Sequence, residues 1–273
     1  MGQSRAENLR EVVSRPELVI QVRKTPHGVA ASHDGTRVYV THFLSGSVSV
    51  IDTATHSETT AFDVNPGLYG VAVKPDGERI YVADNSSGFV YLIDSASGLN
   101  IGAGIGRRPY GLAMSSDGSR LYAACALDDS IEVLDRLVKN RARLKGVDFP
   151  VGLAVSPANG DRIYATNYFS SSVSVIDTTS IKLGDFNSDA VVVAKIAVSE
   201  GPYGIAVSPD GTRVYVAHFE SSGLISVIDT LSLGVIGTMT AKGGWGRGAA
   251  VHPDGSRLYI TNYLSSSVSV MKL

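Results

Sequence analysis

Of the six histidines in the chain, those at positions 27, 42 and 218 are the side chains best suited to moving a proton near neutral pH. An unperturbed imidazole titrates in that range, and burial or a charged neighbour tunes it. Arg247 carries a rigid fork of donors that could orient a carboxylate or stabilise an oxyanion. Phe43, Phe219, Trp245 and Tyr263 could wall a small molecule, and Glu220 and Asn262 would add a carboxylate and an amide. These residue types point to acid–base work on a small molecule by a lyase, cyclase/isomerase or hydrolase without a cofactor. Whether they meet depends on the elements that carry them.

Other motifs are weaker. Gly244-Trp-Gly-Arg-Gly248 is rich in glycine, but it neither matches a phosphate-binding loop nor opens a helix. Asp185-Phe-Asn-Ser-Asp189 begins like a calcium loop, yet Ala190 stands where a glycine is needed and Ile196 where the bidentate glutamate should fall. No paired-histidine or cysteine motif accompanies the three histidines, so no metal is expected. The single cysteine, Cys125, excludes an intramolecular disulfide and suits a reducing compartment.

The elements are written six times. GVAASHDGTRVYVTHFLSGSVSVID starts at Gly28, and related segments start at Gly70, Gly111, Gly152, Gly204 and Gly248. A period of roughly 40–50 residues, built from short runs of Val, Ile and Tyr between turn dipeptides, marks a propeller blade. Each copy reads as four strands; in the fifth they are 204–208, 213–217, 224–229 and 233–239. Asp34-Gly35, Asp76-Gly77, Asp117-Gly118, Asp210-Gly211 and Asp254-Gly255 close the first hairpin of five copies, and Asn159-Gly160 that of the fourth. The sixth copy stops after its third strand, at Leu273, whereas 18–28 matches 195–204. The N-terminal strand is therefore expected to complete the last blade and remove an open edge. The expectation is all-β: one six-bladed β-propeller of four-stranded blades over 16–273, preceded by a polar leader, 1–15, as a short helix or tail.

The runs YVTH, YVAD, YATN, YVAH and YITN, flanked by PDGxR and SVSVID, resemble the YVTN family of β-propellers over 16–273. That resemblance implies the fold. It assigns no chemistry, because the family spans surface proteins and binding modules and function sits in sites grafted on folds. The third copy departs most, with YAAC for the motif and a basic run from Arg136 to Lys145 expected to be a solvated loop.

In antiparallel four-stranded blades the fourth-to-first and second-to-third connections share one face, here the top. Its inner rim should carry His27, Tyr69, Tyr110, Val151, Tyr203 and Arg247. A second tier should carry His42, Asp84, Cys125, Asn167, His218 and Asn262, and a third Phe43, Asn85, Ala126, Tyr168, Phe219 and Tyr263. His33, His56 and His252 go to the bottom. Blades 5, 6 and 1 are neighbours once the ring closes, so His27, His42, His218, Arg247, Trp245 and Glu220 fall on one arc. His42 and His218 would be the proton carriers, with His27 beside them and Arg247 the anion anchor. Tyr69, Tyr110, Tyr203, Asp84, Phe43, Tyr168, Phe219, Asn262 and Tyr263 would line the substrate site.

A competing reading assigns the second-tier residues to capping their own loops, as Asn167 and Asn262 would do and as histidine can imitate. The protein would then be a non-catalytic scaffold, binding a protein or other polymer on the rim or bottom loops. A deep pocket at the top mouth favours the enzyme, and a plugged mouth the scaffold. Net charge is −2, which gives no reason to expect nucleic acid. No apolar run reaches the roughly 20 residues of a membrane helix, and 1–17 lacks the apolar stretch of a secretory signal. With Met1 as the natural start, the expected location is the cytoplasm.

Overall fold

The computed structural model describes residues 10–11, 16–139, 141–157, 162–184, 188–189 and 191–273. Six antiparallel sheets of four strands form the ring, five of them running outward from the axis in chain order. Blade 1 consists of Pro26–Ala31, Arg37–His42, Ser47–Asp52 and Ser57–Asp63. Blades 2 to 5 span 68–104, 109–145, 150–197 and 202–240. Blade 6 holds Gly246–Val251, Arg257–Asn262 and Ser267–Lys272, and its outer strand is Pro16–Gln21, with Leu18 opposite Val270 and Ile20 opposite Val268. The two ends of the chain are thus locked in one sheet, as the truncated sixth repeat required.

Two blades carry an additional short strand. Arg10–Glu11 runs parallel to Gly234–Thr240 on blade 5, and Ser188–Asp189 runs parallel to Arg141–Lys145 on blade 3. The first lies in the segment expected as a polar leader; the rest of that leader falls outside the described residues, as do Asn159-Gly160 and 185–187. The basic run of the third copy is not a solvated loop in its second half. Arg141–Lys145 is the outer strand of blade 3, where Ala142 and Leu144 are buried and Arg143 pairs with Glu132.

Strands two and three are apolar on both faces because every blade is covered by two neighbours. Among the described residues, six clusters fill the six gaps between blades; Tyr39, Val48 and Val50 of blade 1 pack with Val71, Ile80 and Ile93 of blade 2. Tyr39, Tyr81, Tyr122, Tyr164, Tyr215 and Tyr259 are all buried, and each apolar side chain of this size contributes about 1.5–3 kcal/mol by leaving water. The Asp-Gly hairpins hold their glycines at φ between 68° and 76°, where other residues are strained. No helix among the described residues is long and apolar enough to cross a membrane.

The glycine that starts each repeat fixes the inner ring. A Cβ on Gly28 would lie 2.3 Å from the Tyr69 carbonyl oxygen, and one on Gly152 would lie 2.1 Å from that of Tyr203. The same contact recurs around the ring to Gly248 against His27. In three blades a threonine of the second strand ties the contact down. Thr166 Oγ1 accepts from Gly152 N at 2.7 Å and donates to Tyr203 O at 2.9 Å. Thr41 and Thr261 do the same, so Tyr69, Tyr203 and His27, each the residue just before a starting glycine, are held by the preceding blade.

Candidate functional site at the top mouth

That residue is the rim position. His27, Tyr69, Tyr110, Val151, Tyr203 and Arg247, with the two residues that follow each, line the axial throat, which encloses only about 60 Å³. Ring contacts close the mouth above it. His27 meets Tyr69 at 4.1 Å between centroids, Tyr69 meets Tyr110 at 4.8 Å, and Tyr110 meets Tyr203 at 6.1 Å. Tyr203 meets Phe219 at 5.9 Å, Phe219 meets Tyr263 at 6.4 Å, and Tyr263 returns to His27 at 5.2 Å. Phe43 packs on both His27 and Tyr69, Trp245 on Phe219, and Tyr168 on Tyr203.

Arg247 sits inside this ring. Its guanidinium carbon is 3.9 Å from the Phe219 centroid, 4.5 Å from that of Tyr203 and 4.8 Å from that of Tyr263. Nη1 donates to the Tyr203 hydroxyl at 2.5 Å. Among the described residues no carboxylate reaches ion-pair distance of it. Burial drives the Tyr203 phenol well above its ordinary range, so it stays neutral. His27 is buried, and desolvation, then Arg247, then His42 hold its pKa well below 6.5, so it too is uncharged near neutrality. Two buried nitrogens at the mouth, His27 Nδ1 and Arg247 Nε, have no hydrogen-bond partner. The mouth is therefore a cation within a dish of neutral rings.

The second tier is built differently. His42 and His218 are fully buried, and each places Nε2 2.9 Å from a serine hydroxyl on the third strand, Ser49 and Ser226. Asn167 and Asn262 donate Nδ2 to the equivalent Ser174 and Ser269 at the same 2.9 Å. The four positions make one bond with two side-chain types. Burial pulls the His42 pKa down to about 4 and lowers that of His218. His218 Nδ1 also meets the Glu200 carbonyl oxygen at 3.0 Å, whereas His42 Nδ1 lies near the backbone of residues 23 and 24 without a well-formed bond. Ser49 passes its proton on to Glu58 Oε2 at 2.9 Å, and Arg23 holds that carboxylate from outside.

Asp84 caps its own loop through Ser86 N at 2.9 Å and Ser87 N at 3.1 Å. The Glu220 carboxylate accepts from Ser222, and its carbonyl oxygen from Trp245 N. Cys125 is buried, its thiol pushed up to about 12 by desolvation and then by Glu132. His27, His42 and His218 do not converge with other ligands: among the described residues there is no group of three His, Cys, Asp or Glu able to hold a metal.

Three features escaped the sequence reading. Buried Glu132 pairs with the partly exposed Arg143 where four other blades have a serine and blade 2 has Tyr91. The position two before each rim residue adopts positive φ in every repeat. Gly67 and Gly201 fill it in two blades, but Thr25, Arg108, Phe149 and Trp245 hold φ between 42° and 56° in the others. Bulky residues are rarely found there, and such strain clusters at functional sites. Aligning TPHG, GLYG, RPYG, FPVG, GPYG and WGRG exposes the pattern. Finally, Leu44, Leu127, Phe169 and Leu264, at matching places in the second-to-third loops, are 62, 42, 70 and 64% exposed, an apolar rim outside the dish.

Residues 150–273, just under half of the chain, match the family model described as Lactonase, 7-bladed beta-propeller. No curated protein matches the chain. Among solved structures, a chain of Kuenenia stuttgartiensis hydrazine synthase aligns at a TM-score of 0.71 and 19% identity, covering 100% of this chain and 99% of that chain. At such identity the likeness concerns the fold alone. Six blades are present here where the matched family is described with seven, and the chain is a β-propeller protein.

Proposed function

We propose that this propeller is a ligand-binding module whose top mouth seats an anionic group on Arg247, with the ligand's apolar body lying across the surrounding rings. The observation that carries this reading is the guanidinium itself, stacked among three aromatic faces with no carboxylate of the described residues at ion-pair distance. Stacking fixes the guanidinium plane and leaves donors free, which suits planar recognition of a carboxylate. The throat is far smaller than the roughly 300 Å³ of a site that engulfs a small molecule, so the ligand rests on the dish. The exposed rim of Leu44, Leu127, Phe169 and Leu264 would extend that dish for a larger ligand, including a protein that offers an acidic side chain. Resemblance to YVTN repeats is consistent with a binding role. The burial of His42 and His218 speaks against their use as proton carriers.

Calorimetric titration with 1-naphthoate and 1-naphthamide tests the reading. The carboxylate is expected to bind about tenfold or more tightly than the amide, and Arg247→Gln should erase that difference without moving the unfolding transition. Equal affinity for the two probes in the wild type would reject it.

One observation favours a second reading, hydrolysis: the lactonase-family match over 150–273. Arg247 would then hold the carbonyl oxygen as charge develops, and neutral His27 would take a proton from water. Turnover of a simple lactone that is lost in His27→Gln would support it.

A further inference from the structure

The larger axial cavity is at the other end of the channel. At the bottom mouth Ala31, Val73, Met114, Val155, Val207 and Val251, one from each blade, form an apolar funnel of about 350 Å³. That volume lies in the range of small-molecule sites, which are mostly apolar with few polar groups. Below the funnel is a collar, made by Pro75, Pro157, Pro209 and Pro253 in four blades. The two exceptions are His33 in blade 1 and Ser116 in blade 3. The serines between funnel and collar turn away: Ser32 and Ser115 donate to the hairpin carboxylates Asp34 and Asp117.

The sixfold pattern breaks at blade 1. There the funnel adjoins a second cavity of about 320 Å³ between blades 1 and 2, which shares Ser32, His33 and Pro75 with it. This side groove is lined by Asp34, Asp76 and Glu78 against the single guanidinium of Arg37. Asp76 is engaged by Lys74, whereas Asp34 is held by Ser32 and by the Thr36 amide and hydroxyl. Those hydrogen bonds keep the Asp34 carboxyl below its ordinary range. An apolar chamber thus opens sideways into a groove with surplus negative charge.

We infer that the bottom mouth is a binding site for a small organic cation: an apolar body in the axial funnel, with its ammonium directed past His33 into the groove at Asp34 and Glu78. Asp34 is fixed by its own turn, so that carboxylate need not reorganise to meet a cation. Proline in the collar stiffens the wall and offers no amide to compete for the ligand. The site is separate from the dish at Arg247, which would repel the same molecule.

Adamantan-1-amine and adamantan-1-ol have the same body and differ in charge, and neither offers Arg247 an anion. Calorimetry on the full chain is expected to show the amine binding about tenfold more tightly than the alcohol. Filling the funnel with Met114→Trp, or from the opposite side with Val207→Trp, should cost the amine at least tenfold while the melting transition is preserved. Asp34→Asn with Glu78→Gln should bring amine and alcohol within about threefold of each other. Absence of amine binding at millimolar concentration, equal affinity for amine and alcohol, or unchanged amine affinity in whichever funnel variant folds would overturn the inference.

Discussion

A side chain's type and its depth are different facts, and the histidines separate them. Position 42 and position 167 present imidazole and amide to equivalent serines, Ser49 and Ser174, at the same distance. His42→Asn should therefore leave stability nearly unchanged in chemical denaturation, whereas His42→Ala removes a buried ring and its bond to Ser49, leaving that hydroxyl only its bond to Glu58, and should cost about 1–3 kcal/mol. Acid gives a second readout. Folding lowers the His42 pKa from 6.5 to about 4, so the unfolded chain binds the proton more readily between those values. Stability is then full above 6.5, falls on acidification through that window and stops falling on this account below about 4. His27 and His218 are shifted in the same direction. Measured from pH 7 to pH 4, His42→Asn should lose less stability than the wild type; an identical pH slope would mean His42 is not buried in the neutral form. The tier was legible in the sequence, since every copy has a polar or small residue at the end of its second strand. Its role was not, because histidine serves equally as a base in water and as a hydrogen-bonding strut in a sheet.

At the scale of the element, the repeated turn that delivers the rim residue is where conformation and chemistry compete. Its glycine-type position is filled by Thr25, Arg108, Phe149 and Trp245 at positive φ. Arg108 is exposed and holds φ at 51°, so Arg108→Gly should relieve strain of about 1 kcal/mol. In a domain of this size that raises the melting temperature by roughly 2–4 °C. Trp245 is different, since its ring packs on Phe219 beside Arg247. Trp245→Gly is expected to change stability little and to weaken naphthoate binding severalfold in the same titration, strain having been exchanged for a wall of the dish. Strands, hairpins and the starting glycine were readable from the repeats because each copy solves the same backbone problem. The strained position was hidden: no residue type marks it, and only the backbone angles common to six turns reveal it.

At the scale of the molecule, the ring lets six sectors bring single residues to one axis, and it survives only if the ends meet. Ile20, buried on Pro16–Gln21, packs with Val268 and Val270 across the closing sheet. Ile20→Asp should cost about 3 kcal/mol in equilibrium unfolding, well beyond a surface substitution. A cost below 0.5 kcal/mol would mean the strand contributes little to closure. Closure was legible, since the missing strand of the last repeat had its counterpart at the start of the chain. Neither mouth was. The top narrows because rings from different blades lean together, and the bottom widens because the rim there is Ala, Val, Met and Pro; both outcomes depend on distances across the axis that no single repeat contains.

The claim on which the account turns is that recognition sits on the rim, at Arg247, and not on the buried second tier. Trp245, the only tryptophan in the chain, stands beside that guanidinium and reports on it. Fluorescence titration with 1-naphthoate is expected to give the wild-type affinity in the His42→Asn/His218→Asn protein and a loss of about tenfold or more in Arg247→Gln. The reverse order, with the asparagine pair losing affinity and Arg247→Gln retaining it, would contradict the account.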